Sequence, residues 1–315
     1  MEHLNRRSVL RGGLTAAAAV GVGRAMHNTV VGYGQFGLGE NLHTQDLARL
    51  AADGLVTPRL YTTTIDDYDV ELRRGAVRYR REDDWQSVAE DAPTPVGTFA
   101  ADVAAIQDGD VSFTFHEPTT FFERLRDHRT LPRIVGLLRA RAPTPADPTR
   151  VASVVGVEPT DGEGLVLGLV DAFRAHSYYD VPRYAAGSVQ DNLLFGSVDL
   201  RAPFRTTVSF EALDTTRDEV GLFCMEYVRL ANRAIVSVPA TDQSPPLVGI
   251  TVRNRRHKHV FNGFASAIRT DGLEIPMTFV DYTYSTLYDD LSLRGVLGEG
   301  TNAFGTRHRA DTIQW

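Results

Sequence analysis

The sharpest chemical pattern in the chain is Gly32-Tyr-Gly34-Gln-Phe-Gly37, which follows the short apolar run Thr29-Val-Val31. Glycines at this spacing let a backbone approach a pyrophosphate closely and open a helix whose N-terminus faces the negative charge. A second group of residues suits general acid and base work. His116 and Glu117 stand at the exit of an alternating segment, Phe113-Thr-Phe-His-Glu-Pro118, where catalytic residues often sit. His176 and Asp180 bracket Ser-Tyr-Tyr, and Asp281 and Asp289 bracket a tyrosine-rich stretch. Histidines and acids in this pool could move protons for a hydrolase with dispersed residues. Tyrosines beside acids can also line a sugar or aromatic ligand site.

The densest basic run is Arg253-Asn-Arg-Arg-His-Lys-His259. As a strand, it would place His257 and His259 on one face, which is the weakest form of a metal-ligand pattern. As a surface it could bind an anionic ligand or a glycan, and as neither it is a solvated hairpin turn. Arg307-His-Arg309 reads as a solvated or ion-paired tail. Cys224 is the only cysteine and lies in the apolar stretch Val220–Val228, where a free thiol reads as a small buried hydrophobe. One cysteine excludes an intrachain disulfide and a cysteine metal cluster. The chain lacks G-x-S-x-G, a P-loop, H-E-x-x-H, a cysteine redox pair and an EF-hand loop. Schiff-base chemistry would rest on Lys258 alone. No cofactor is favoured.

Gly32, Gly34 and Gly37 resemble the NAD(P)-binding fingerprint of Rossmann families over about ten residues. That resemblance implies a nucleotide-dependent oxidoreductase, with Asp53 or Asp66 as the acid for the ribose. The competing reading is a glycine-rich link to the first folded segment, because the nearest helical signal begins only at Thr44.

The N-terminus carries a different message. Arg6-Arg7 precede Val9-Leu10 and Arg11, and Gly12 to Val22 is apolar and uncharged. Eleven residues are too few for a bilayer span, which needs about 20. Gly23-Arg24-Ala25 offers small residues for cleavage near Ala25. The arrangement resembles a twin-arginine export signal of haloarchaeal type. That implies the Tat translocase as a partner during export, a protein acting outside the cytoplasmic membrane or at the cell surface, and no membrane span after cleavage. Formal charge is −7, and Lys258 is the only lysine among 33 basic residues. An acidic chain of this kind is the halophilic pattern, and it argues against a nucleic-acid partner, which demands clustered basic residues.

The elements that must position these residues follow from periodicity and breakers. Thr44 to Asp53, the stretch after Pro118, Pro132 to Arg141, Leu165 to His176 and Leu287 to Leu297 read as helices. Leu60 to Ile65 reads as a strand, and Tyr68–Leu72 and Ala76–Arg80 as a hairpin. Strands are also expected at Val111–Phe115, Val151–Val157, Thr206–Phe210, Val220–Leu230, Ala234–Val238, Leu247–Val252, Val260–Ile268 and Ile275–Tyr284. Helices and strands do not alternate regularly, so the expected class is α+β with a mainly antiparallel sheet and a few packing helices. Ala142 to Pro148 holds three prolines and is the expected linker. The organisation reads as a signal (1–25), a glycine-rich segment and helix (26–59), an N-terminal α+β part (60–141), the linker (142–149) and a strand-rich C-terminal part (150–315).

Three functional readings follow, in descending order. The first is an exported binding or structural protein, with its tyrosines or basic run on an open surface. The second is a secreted hydrolase that gathers several of the named acids and histidines. The third is the oxidoreductase, with Gly32–Gly37 in a tight strand-to-helix turn.

Overall fold

The computed structural model describes residues 41–180, 183, 186, 199, 202, 208–214, 219–255, 259–304 and 308–315. The Arg6–Arg7 pair, the region of Ala25, the motif at Gly32, Gly34 and Gly37, and His257 lie outside these residues.

The chain is α+β, as expected. After helix α1 (Leu47–Gly54), strands β1 (Leu60–Ile65), β2 (Tyr68–Arg73), β3 (Ala76–Arg80) and β4 (Gln86–Ser87) form an antiparallel meander. The β2–β3 connection is the two-residue loop Arg74-Gly75, with both residues at positive φ (52° and 88°). That geometry suits the right-handed twist of the strands, and Gly75 adopts it without strain. Helix α2 (Thr94–Asp108) has no counterpart in the sequence reading. Two prolines obscure its start, yet Pro95 fits a first turn that needs no N–H. Val96, Phe99, Val103 and Ile106 then form its buried stripe.

The second sheet organises the molecule. It contains β8 (Val248–Asn254), β9 (His259–Ala265), β10 (Ile268–Arg269), β11 (Leu273–Val280) and β12 (Thr312–Gln314), all antiparallel neighbours. Strand β5 (Ser112–Phe115) lies parallel to β11 on its other edge. Every residue of β9 and β11 is buried, because both faces of the sheet are covered. One face packs Ile250, Phe261, Met277 and Phe279 against α2 and α4 (Pro132–Leu138). The other packs Phe264 and Val280 against α3 (Pro118–Asp127), α5 (Pro148–Val155), α6 (Gly162–His176) and α8 (Cys224–Ile235). A parallel pair, β6 (Ser177–Tyr179) and β7 (Val220–Leu222), leads into α8. The short helix α7 (Phe210–Asp214) precedes β7, and α9 (Tyr282–Asp290) and α10 (Arg294–Leu297) follow β11.

Several expected strands are helices. Val151–Val157 falls in α5, where Asp147 accepts hydrogen bonds from the N–H groups of Thr149 and Arg150 and Pro148 fits the first turn. Val220–Leu230 is strand only to Leu222, and Ala234 belongs to α8. Ile275–Tyr284 ends as a strand at Val280, where Asp281 caps α9. The C-terminal helix is two, broken at Ser292, whose φ is 55°. Strand β5, before the proline-rich stretch from Ala142, pairs with β11 after it. No helix among the described residues is long and apolar enough to cross a membrane.

Candidate functional site

Four chain ends converge on one buried point. Cys224 is the first residue of α8, directly after Phe223 and β7. His259 is the first residue of β9, Asp281 follows the last residue of β11, and His308 lies in the segment leading into β12. His259, Asp281 and His308 are 5%, 0% and 4% exposed. Cys224 is half-buried.

Local physics fixes each position. In α8, Tyr227, Leu230, Ala231, Ala234 and Ile235 recur at helical spacing and face the core. Asn232 of this helix accepts a 2.8 Å hydrogen bond from Asn262 of β9 and donates to Thr251 of β8. This buried polar link sets how far α8 can slide along β9, and with it the position of Cys224 relative to His259. The start of α8 is braced as well. Glu226 accepts from the Phe223 N–H at 2.8 Å and from both terminal nitrogens of Arg183, whose guanidinium lies 4.3 Å over the Phe223 ring.

Asp281 is the hub. Its Oδ1 accepts from the N–H groups of Thr283 (3.0 Å) and Tyr284 (3.2 Å), capping α9. Its Oδ2 accepts from His259 Nε2 at 2.7 Å and His308 Nε2 at 2.8 Å. Cys224 stands near His259 and helps to raise the pKa of its imidazole. Phe261 and Tyr284 pack against the two imidazoles, with ring centroids 5.0–6.0 Å apart.

Burial opposes charge on all three groups, and the outcomes differ. For Asp281, burial raises the pKa, but the charge and hydrogen bonds of the two histidines overturn this and hold the carboxyl well below its usual range. For His259, burial lowers the pKa, but the Asp281 charge and hydrogen bond, together with Cys224, raise it to about 10. For His308, burial wins and the pKa falls, despite its bond to Asp281. The cluster therefore holds one carboxylate, one imidazolium and one neutral imidazole at neutral pH.

The three side chains are of types that could hold a metal ion, and their ligand atoms all lie within 4.8 Å of one another. The separations speak for hydrogen bonds instead. Ligands about 2.0–2.1 Å from a tetrahedral zinc stand about 3.3 Å apart. The two N···O distances of 2.7 and 2.8 Å are ordinary charge-assisted hydrogen bonds.

Of the candidate catalytic residues, only Asp281 belongs to this centre. His116 follows β5, where its Nε2 is buried without a partner, and burial and nearby Arg124 lower its pKa. Glu117 is exposed at the start of α3. His176 is half-buried at the end of α6. Asp180 is buried and accepts from the Arg183 N–H at 2.9 Å, so it helps brace the entry to α8. Asp289 pairs with Arg294 at 2.9 Å. His259 enters the centre through Asp281; His257 lies outside the described residues.

Sequence reasoning missed Cys224 and His308. Cys224 is half-exposed at a helix start, not a core hydrophobe. The signal was the spacing of Tyr227, Leu230, Ala231 and Ala234 behind it, which is helical. His308 is buried although arginines flank it, and nothing local announces that. The tyrosines at 282, 284 and 288 are buried, not arrayed on an open surface. A groove of about 550 Å³ between Tyr61, Pro132 and Val238 lies elsewhere. Its Arg139 is already committed to the carbonyl oxygens of Leu247 and Val238 and to Gln243. Comparison with known protein families, curated proteins and solved structures finds no match.

Proposed function

We propose that this protein is a thiol-dependent acyl-transfer enzyme in which Cys224 is the nucleophile, His259 the base and Asp281 the group that orients and charges His259. The observation that carries this reading is the order Cys224–His259–Asp281, in which Asp281 hydrogen-bonds the imidazole and Cys224 stands near it at the start of a helix. Nucleophile, base and orienter in that order define a nucleophilic triad by geometry, whatever the fold.

The chemistry follows from the positions. The Cys224 sulfur attacks the carbonyl carbon of an amide, ester or thioester as the thiolate, the nucleophilic form of the side chain, beside the His259 imidazolium, which holds the proton. The carbonyl π electrons move to oxygen, beside the first turn of α8. There, the N–H groups of Cys224 and Met225 have no partner within the helix, and the positive end of the helix dipole favours negative charge. Collapse expels the leaving group, which takes the proton from His259 and leaves an acyl thioester on Cys224. His259 then removes a proton from water, or from another acceptor, as it attacks the thioester, and the thiol is released. Asp281 stays ionised throughout and stabilises the imidazolium.

This reading places the chain with the hydrolases anticipated from its acids and histidines, through one acid of that pool. It is tested by turnover of a p-nitrophenyl ester with matched wild-type and Cys224→Ala proteins. Loss of turnover in a variant that melts normally supports it, and undiminished turnover refutes it. A binding role would instead call for the tyrosines or the basic run on an open surface; Tyr282, Tyr284 and Tyr288 are buried, and residues 256–258 of the basic run lie outside the described residues.

The site of action is part of the same proposal. Arg6-Arg7 and the apolar run Gly12–Val22 support export through the twin-arginine translocase, and the acidic, nearly lysine-free composition supports a salt-rich setting.

A further inference from the structure

We infer that His308 is a positioning residue of the acyl-transfer centre, holding Asp281 in the orientation that serves His259. The inference rests on the reading of Cys224, His259 and Asp281 given above. A carboxylate has about four acceptor sites. Asp281 fills all four: two with backbone N–H groups of α9, one with His259 and one with His308. The α9 bonds fix Oδ1 alone. Without a second donor on Oδ2, the carboxylate could rotate about its Cβ–Cγ bond and exchange its hold on His259 for one on a backbone N–H. With His308 in place that rotation breaks two charge-assisted bonds instead of one.

His308 is itself held from outside the centre. Two residues on, the Ala310 N–H donates to Gln45 at 2.9 Å, and the Asp311 N–H donates to the Arg253 carbonyl at 2.8 Å. Strand β12 then pairs with β8, and Trp315 donates to the Ala51 carbonyl at 3.0 Å. The C-terminal segment is thus tied to α1 and β8, and it delivers one imidazole to the hub. The facing charged group is the Asp281 carboxylate, with His259, Phe261 and Tyr284 around the ring. The lowered pKa of His308 leaves it neutral, so it supplies a donor and no charge that would compete with His259.

The test compares His308→Gln, which keeps an N–H donor at similar reach, with His308→Ala and His308→Asn, which do not. The readout is the pH profile of Cys224 alkylation by iodoacetamide, which needs no knowledge of the substrate. Losing a donor to the charged carboxylate raises the Asp281 pKa. In the Ala and Asn variants the acid limb of the profile should therefore move to higher pH, and the plateau rate should fall about tenfold. The Gln variant should restore both. If His308→Ala fails to fold, the ordering of Gln above Asn decides the matter. A wild-type profile in the Asn variant, or an equal defect in Gln and Asn, overturns the inference. If wild-type Cys224 alkylates no faster than a free thiol, it is the acyl-transfer reading that fails.

Discussion

Replacing Asp281 with Asn is the most informative single change, because it leaves the shape and removes the charge. Asn is a competent helix cap, so α9 should keep its start. Where Oδ2 stood, however, the amide nitrogen would now face two imidazole N–H groups. Removing one member of a buried, hydrogen-bonded ion pair costs about 3–5 kcal/mol, and both partners are almost fully buried, so water screens little of it. The loss should lower the melting temperature by on the order of 10 °C.

The pH dependence should change sign as well. In the wild type, His259 is raised from 6.5 to about 10. Its contribution is complete below pH 6.5 and is lost as pH rises through 10. Asp281 contributes above pH 3.8 and loses its contribution as acid protonates it. Without Asp281, burial is left as the dominant influence on His259, so its pKa falls below 6.5. Stability of the variant should then rise as pH rises from that value to 6.5 and level off above it, where the wild type declines. Melting curves from pH 4 to pH 10 report this directly. A variant whose stability still falls with pH above 6.5, in parallel with the wild type, would refute the charged-pair account.

Other consequences are simpler. A Cβ added at Gly249 would lie 2.5 Å from Asn232 Oδ1 and 3.2 Å from its Cα, so Gly249→Ala should push α8 off the sheet. It should cost about 1–3 kcal/mol in thermal or urea unfolding and slow alkylation of Cys224 at the far end of the helix. Dialysis against a chelator should leave the melting temperature and the thiol reactivity unchanged, and loss of both would mean that a metal, not a hydrogen-bond network, joins the histidines to Asp281. Arg6→Lys with Arg7→Lys should retain the protein in the cytoplasm of its host, read by cell fractionation. Undiminished secretion would remove the case for export.

Much of the fold was legible because its signals are local. The β2–β3 hairpin is announced by two alternating segments around Arg74-Gly75, and α6 by its apolar stripe. Errors gathered where an apolar run was read without its termini. Val151–Val157 looks like a strand until Asp147-Pro148 is taken as a helix start, and Val220–Leu230 conceals a strand, a break and a helix. The centre was legible only in fragments. Asp281 stood out as an acid beside tyrosines, and His259 as part of a basic run, but their pairing spans 22 residues and that of His308 with Asp281 spans 27. Such pairings are set by strand register and by the docking of the C-terminal segment, and no short spacing encodes them. Cys224 was hidden by its apolar neighbours, whose periodicity marks the helix that presents it.

The central claim is that Cys224 carries the acyl group. Incubation with an activated ester, acid quench and peptide mapping by mass spectrometry would test it most directly. The account predicts one acyl group on the peptide containing Cys224, labile to hydroxylamine, and slower to form in His259→Ala. An unmodified Cys224 peptide under conditions where the ester is consumed would contradict it.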